Sequence, residues 1–168
     1  VLLRATFHRG VENSEQLEEL GVSVYATIPT SPQQLEITKI LQRRKNLSLT
    51  ESLLASKNPA DLAIESLRNL RTTIHFAMLE AKNNILLISG SGPEIGKSFI
   101  STNFSAILAM GGKKVLLIDA DLRRGKLNKI FSHERNNGLS AYLSGQLSLE
   151  ALVVPTGFEG MDVISTVI

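Results

Sequence analysis

The sequence predicts an α/β fold built on a doubly wound parallel sheet with helices on both faces. Three observations predict it. The apolar run Ile85-Leu86-Leu87-Ile88 leads into a loop rich in small residues, SGPEIGKS, from Ser91 to Ser98. An apolar helical stretch follows, from Lys97 to Met110. A second apolar run, Val115 to Ile118, then ends in Asp119 and Asp121. Short runs that are apolar at every position suit central parallel strands covered on both sides. Ligands of such sheets bind outside the carboxyl ends of the strands.

The loop carries the chemistry. A triphosphate needs donors and cations at close range. Small residues let the backbone curl so that successive N–H groups point inward, and the helix that follows adds its positive end. Gly90, Ser91, Gly92 and Gly96 permit that curl, and Pro93 stiffens it. Lys97 can reach β- and γ-phosphate oxygens, and the Ser98 hydroxyl can ligate Mg²⁺. The expected nucleotide-binding stretch runs through Ser91, Gly92, Pro93, Glu94, Ile95 and Gly96 to Lys97, Ser98 and Phe99. The usual pattern is G-x-x-x-x-G-K-S/T, and Ser91 stands where its first glycine belongs. The set implies a P-loop NTPase-like fold with ATP and Mg²⁺ as cofactors. An ordinary turn would leave Gly96-Lys97-Ser98 at a helix start without a purpose.

Asp119 and Asp121 leave their strand at spacing i, i+2 and so emerge on one side. Asp119 is expected to hold Mg²⁺ through water, and Asp121 to orient or deprotonate an attacking hydroxyl. Arg123 can bind phosphate or pair with Asp121. Lys97, Asp119 and Asp121 are thus the candidate catalytic residues, and Ser98 and Asp119 the candidate metal ligands.

Composition agrees. The chain has 168 residues, enough for one domain with a real core, and is 43% hydrophobic with few aromatics. A net charge of +2 makes no demand for nucleic acid. The absence of cysteine excludes a disulfide framework. No run approaches transmembrane length. The chain starts at Val1 and stops at Ile168 just after an apolar run, which reads as part of something longer.

The remaining elements follow in order. Asn13 or Ser14 can cap a short helix through Leu20, ended by Gly21. Val22 to Ile28 alternates like a strand. Thr30 to Lys57 is polar, carries Arg43-Arg44-Lys45, and reads as a loosely packed linker. Asn58-Pro59 starts a helix to about Lys82, with Ile64, Leu67, Leu70 and Ile74 as its core stripe and Glu65, Arg68 and Arg71 beside it. By spacing alone, Glu65-x-x-Arg68-x-x-Arg71 is a solvated flank with i, i+3 pairs. Lys126 to Phe131, Gly138 to Gly145 and Ser148 to Val153 read as short helices, and Met161 to Ile164 as a strand. The three histidines form no metal set.

Glu65-x-x-Arg68-x-x-Arg71, the loop SGPEIGKS and the run LLIDADLR together resemble the bacterial tyrosine kinase (BY-kinase) family. These are inner-membrane autokinases that govern capsule and exopolysaccharide export. The stretch GVENSEQLEELGVSVYATIP is similar to their segment between the second transmembrane helix and the kinase domain. NNGLSAYLSGQLSLEALV and GMDVIST fit the same family, so the resemblance covers almost the whole chain.

The resemblance implies a juxtamembrane segment and linker over 1–57 and the N-terminal part of a tyrosine kinase domain over 58–168. SGPEIGKS corresponds to the family's Walker A, and Asp119 and Asp121 to its Walker A′ acids. Glu65, Arg68 and Arg71 correspond to a motif that bridges neighbouring subunits in a ring-like homo-oligomer. The implied partners are the polysaccharide export and polymerisation machinery and a tyrosine phosphatase, on the cytoplasmic side of the inner membrane. The family's Walker B strand and tyrosine cluster have no counterpart in this sequence, so the chain alone is expected to be inactive. A tyrosine that many relatives carry after D-x-R-x-G is Lys126 here. The nearest alternative is a MinD/ParA-like ATPase, against which counts the early loop lysine of that type, absent at Ser91 and Gly92. A non-catalytic nucleotide-binding assembly module is the other alternative.

Overall fold

The computed structural model describes residues 13–43, 52–131 and 138–166. At the N-terminus, Asn13 Oδ1 accepts the Gln16 N–H at 3.1 Å and starts the one-turn helix α1, Glu15–Glu18. It stops two residues earlier than expected. Gly21 takes φ 78°, and the Val22 N–H turns back to the Leu17 carbonyl. The expected strand Val22–Ile28 makes no ladder among the described residues. Its alternation survives as packing: Val24, Ala26 and Ile28 are half-buried while Ser23, Tyr25 and Thr27 are exposed.

The stretch expected to be a loose linker is largely built into the core. Helix α2, Pro32–Arg43, has Pro at its first position, and Ser31 Oγ accepts the Gln34 N–H at 3.2 Å. The same hydroxyl donates to Asp61 Oδ2 at 2.7 Å, and Ile37 is fully buried. Helix α3, Leu54–Lys57, is also buried through Leu54 and Ala55. The basic run Arg43-Arg44-Lys45 lies mostly outside the described residues.

Helix α4 spans Leu62–Ala77, with a 3₁₀ turn at Met78–Glu80. Its cap is Asp61, whose Oδ1 accepts the Ala63 N–H at 2.9 Å, rather than Asn58. Asn58 instead donates its side-chain amide to Gln33 Oε1 at 2.8 Å, so Asn58-Pro59 belongs to the turn before the helix. Ile64 and Leu67 are buried and Leu70 and Ile74 half-buried, as the stripe predicts. Helix α5, Lys97–Met110, packs between α4 and the sheet. Each fully buried Leu or Ile in this layer contributes about 1.5–3 kcal/mol.

The sheet has three strands, β1 Val115–Ile118, β2 Val154–Phe158 and β3 Met161–Ile164, in the order β1-β3-β2. β1 and β3 are parallel, with Val115 opposite Met161 and Ile118 opposite Ile164. β2 is an antiparallel edge strand, so this part of the sheet is mixed rather than wholly parallel. No strand was expected at β2, and Pro155 and Gly157 are unusual strand residues. Both lie at the irregularity between Pro155 and Phe158, where an edge tolerates them. The expected helix at Ser148–Val153 is replaced by turns. Short helices α6, Leu127–Ile130, and α7, Leu139–Leu143, sit on the crossover from β1 to β3.

Two strand expectations need correction. Ile85–Ile88 forms no ladder among the described residues, and Ile85 and Leu87 are 80% and 81% exposed. Leu117 of β1 is buried, but Leu116 and Ile118 are 45% and 47% exposed, so only one face of β1 is covered by the described residues. An apolar run specifies burial, but burial on the second face needs another layer to supply it.

Gly125 marks a close approach in the fold. A Cβ there would lie 1.8 Å from Thr166 Cγ2 and 2.9 Å from Asp119 Oδ2. We expect Gly125→Ala to lower stability by about 1–3 kcal/mol through overpacking. Adding Thr166→Ser, which removes the closest methyl, should restore part of it. Urea denaturation checks this, and strictly additive effects of the two changes would contradict the contact.

Candidate functional site

The loop between Gly90 and Lys97 has the curl a phosphate cradle needs. Glu94 has φ 60° and Gly96 φ 98°, both left-handed. A Cβ at Gly90 would meet Ile95 Cδ1 at 2.1 Å, so the glycine lets Ile95 fold back over the loop. Gly96 caps α5, and its carbonyl accepts the Ile100 N–H at 2.9 Å. Lys97 and Ser98 are therefore the first two residues of a fourteen-residue helix, at the end where its dipole favours anions. Lys97 Nζ donates to the Gly92 carbonyl at 2.6 Å, which holds the ammonium over the loop.

Asp119 and Asp121 lie at the carboxyl edge of β1, in different environments. The Asp119 N–H continues the pairing with β3 by donating to the Ile164 carbonyl at 2.9 Å. Its carboxylate is 9% exposed. Oδ1 accepts the Asp121 N–H at 3.1 Å, and Oδ2 accepts the N–H groups of Lys126 and Leu127 at 3.0 and 3.2 Å. Asp119 thus organises the whole turn from Asp121 to α6. Asp121 is exposed, and its Oδ1 accepts the N–H groups of Arg124 at 2.9 Å and Arg123 at 3.2 Å. Those two amides, chiefly that of Arg124, hold its carboxyl below the ordinary aspartate value, with help from the nearby Lys97 and Arg124 charges.

Loop, α5 and acidic turn open onto one cleft of about 1450 Å³. Pro93 to Phe99 form one side and Asp121, Arg124 and the residues around α6 another. The segment from Ile28 to Leu41 forms the third wall, which sequence reasoning missed. The signal for it was present in the Ser31-Pro32 helix start and in Ile37, Ile40 and Leu41 at helical spacing. Ser91 and Gly92 lie on the loop just outside the cleft wall, and Arg124 rather than Arg123 lines it. Tyr25 and Tyr142 do not line it.

Glu65, Arg68 and Arg71 lie on α4 and do not line the cleft. Arg68 forms an ion pair with Glu65 and donates to the Pro59 carbonyl at 2.7 Å. An Arg71 guanidinium nitrogen lies 3.1 Å from where a Cβ at Gly111 would stand. It therefore sits at the carboxyl end of α5, where a cation is favourable.

A P-loop facing an acidic turn across one cleft is the arrangement of a P-loop NTPase-like fold. No family model matches the chain. Individual proteins do. The chain is 51% identical over 167 residues to a Klebsiella pneumoniae protein whose name places it as a tyrosine-protein kinase in the cps region, covering 98% of this chain and 23% of that protein. It is 47% identical over 173 residues to the tyrosine-protein kinase etk of Escherichia coli K12, covering 98% of this chain and 24% of that protein. The solved kinase domain of Escherichia coli tyrosine kinase ETK superposes with a TM-score of 0.81 at 48% identity, covering 92% of this chain and 60% of that one. Over nearly its whole length the chain is thus similar to bacterial tyrosine kinases. It spans about a quarter of the length of the curated relatives it matches.

Because its two amide donors favour the ionised form, Asp121 should titrate below the ordinary aspartate value of about 3.9. Its contribution to stability is then present above that ordinary value and lost only as pH falls through the lowered one. Carboxyl-carbon NMR can follow this, and a midpoint at or above the ordinary value would contradict the two amide bonds.

Proposed function

We propose that the protein containing this chain is an ATP-dependent protein tyrosine autokinase of capsule or exopolysaccharide biosynthesis and export. The observation that carries this reading is the shared cleft. The loop and Lys97 stand on one side, and a carboxylate held ionised, Asp121, stands on the other. The similarity to tyrosine-protein kinases supports tyrosine as the acceptor, and the cps-region relative supports the polysaccharide setting.

In this reading the loop amides and Lys97 bind the β- and γ-phosphates and orient the γ-phosphoryl group. Ser98 lines the cleft one residue beyond Lys97 and would hold Mg²⁺ by its hydroxyl. Asp119 would act through water, since three backbone amides already occupy its oxygens. Among the described residues no three His, Cys, Asp or Glu side chains form a metal cage. A single hydroxyl with a nearby carboxylate fits Mg²⁺, which keeps several waters and is bound largely through nucleotide phosphates. When bound, the ion offsets charge on the β- and γ-oxygens. A depressed pKa makes Asp121 a weak base, so its role is to orient the tyrosine hydroxyl and accept its proton late. Little proton removal is needed when the transition state is loose.

Glu65, Arg68 and Arg71 form the proposed contact between subunits of a ring-like homo-oligomer. The polysaccharide machinery and a tyrosine phosphatase are the proposed partners, at the cytoplasmic side of the inner membrane, with anchoring by segments outside this chain. Among the described residues no helix is long and apolar enough to cross a membrane.

Incubating the full-length protein with Mg²⁺ and ATP should yield phosphotyrosine by mass spectrometry. Lys97→Met should reduce it at least about a hundredfold by removing the phosphate-binding cation. ATP hydrolysis without phosphotyrosine would move the protein to the MinD/ParA-type ATPases. Arg68→Ala with Arg71→Ala should weaken self-association at least about tenfold by light scattering, the scale of losing charge-assisted contacts. An unchanged oligomer would reject the interface.

A further inference from the structure

Lys126, Asn128 and Lys129 line the cleft beside Asp121, and the phosphate-binding reading uses none of them. Asn128 is only 6% exposed as a residue, lines the cleft, and its side-chain amide has no hydrogen-bond partner among the described residues. An amide offers two donors and an acceptor, all available to a ligand in the cleft. Lys126 and Lys129 flank it, exposed, and neither has a carboxylate within ion-pair distance among the described residues. The charged side chains around the cleft are Glu94, Lys97, Asp121, Arg124, Lys126 and Lys129, an excess of cations. Lys97 serves the loop, and Arg124 is near Asp121. That leaves the two lysines and the amide as an uncommitted group. The facing wall, from Ile28 to Leu41, brings no charged residue to the cleft.

The position of this group selects its ligand. Phosphoryl transfer is in line, so the acceptor enters beyond the γ-phosphate, on the side marked by Asp121. Asn128 follows Asp121 on the same turn, which Asp119 ties together through the Lys126 and Leu127 amides. A cleft of about 1450 Å³ exceeds the roughly 300–1,000 Å³ of ordinary small-molecule pockets, leaving room for a peptide beside a nucleotide. A side-chain amide matches a peptide group, giving a donor to its carbonyl and an acceptor to its N–H. Ammonium groups on either side match carboxylates near the acceptor. The geometry points to an acceptor subsite in which Asn128 holds the main chain of an extended tyrosine peptide, and Lys126 and Lys129 select acidic residues around the tyrosine.

This inference rests on the kinase reading, and the test separates the two. The probes are two synthetic peptides, one with tyrosine between glutamates and one with tyrosine between glutamines, given to the full-length protein. The wild type should show a KM about fivefold to tenfold lower for the acidic peptide, the scale two partly exposed charge pairs supply. Lys126→Glu with Lys129→Glu should abolish or invert that preference. Asn128→Ala should raise KM for both peptides about tenfold through lost hydrogen bonds to the peptide main chain. KM for ATP should stay within about twofold in all variants, as expected when the nucleotide contacts are elsewhere. The lysine variant alters only surface side chains, so it tests the subsite even if Asn128→Ala does not fold. Fluorescence anisotropy reads peptide binding without transfer. If neither peptide is phosphorylated but anisotropy still favours the acidic one, the kinase reading fails and the subsite stands. Equal affinities for the two peptides in the wild type, or variants that raise KM for ATP alone, would overturn the subsite.

Discussion

The buried carboxylate of Asp119 is the interaction on which the site depends. Its backbone is fixed by pairing with β3, so the carboxylate has a defined place at the sheet edge. From there it collects three amides, from Asp121, Lys126 and Leu127. Hydrogen bonds to a charged group contribute about 1.5–3 kcal/mol each, and an amide left unpaired there would cost a similar amount. The turn therefore has one conformation. It sets Asp121 facing Lys97, brings Gly125 against Thr166, and starts α6. A glycine at 125 is a consequence of the same closeness, because any side chain would push the turn away from the carboxylate.

A second buried polar group ties the other wall of the cleft to the phosphate loop. Asn103, in the middle of α5, donates its amide to the Phe99 carbonyl at 2.9 Å and accepts the Ala55 N–H at 2.8 Å. The first turn of α3 is thereby capped by the helix that carries Lys97 and Ser98. Leu53, Leu54 and Ile37 share one apolar cluster with Phe104 and Ile107. Ser31 then joins the start of α2 to Asp61, which caps α4. The cleft is thus walled by elements distant in sequence, each held by a hydrogen-bonded cap over apolar contacts. The helix bearing Glu65, Arg68 and Arg71 is part of that chain of contacts.

The two aspartates show how environment divides similar side chains. Asp119 is enclosed and spends its oxygens on the backbone. Asp121 stands in the open with one oxygen engaged by amides and positive charge nearby. The first suits the structural and outer-sphere role proposed for it, the second the proposed contact with the reactants.

By itself the sequence determined what depends on local order. The P-loop, its position at the start of α5, the strand that ends in Asp119, the core stripe of α4 and the strand at 161–164 were all readable, because each is set by nearest-neighbour sterics or by periodicity. The tertiary structure decided what depends on partners. Ile85–Ile88 and Val22–Ile28 have strand-like patterns but no ladder among the described residues, since pairing requires a neighbour that periodicity cannot supply. Residues 32–43 and 54–57 looked polar enough for a linker, yet a few apolar side chains, with Ser31 and Asn103, were sufficient to dock them. The division of labour between Asp119 and Asp121, and the meeting of Asn128 and two lysines with the phosphate loop, follow from which backbone amides and walls come within hydrogen-bond range. Distances of that kind arise only when segments far apart in the chain are packed together.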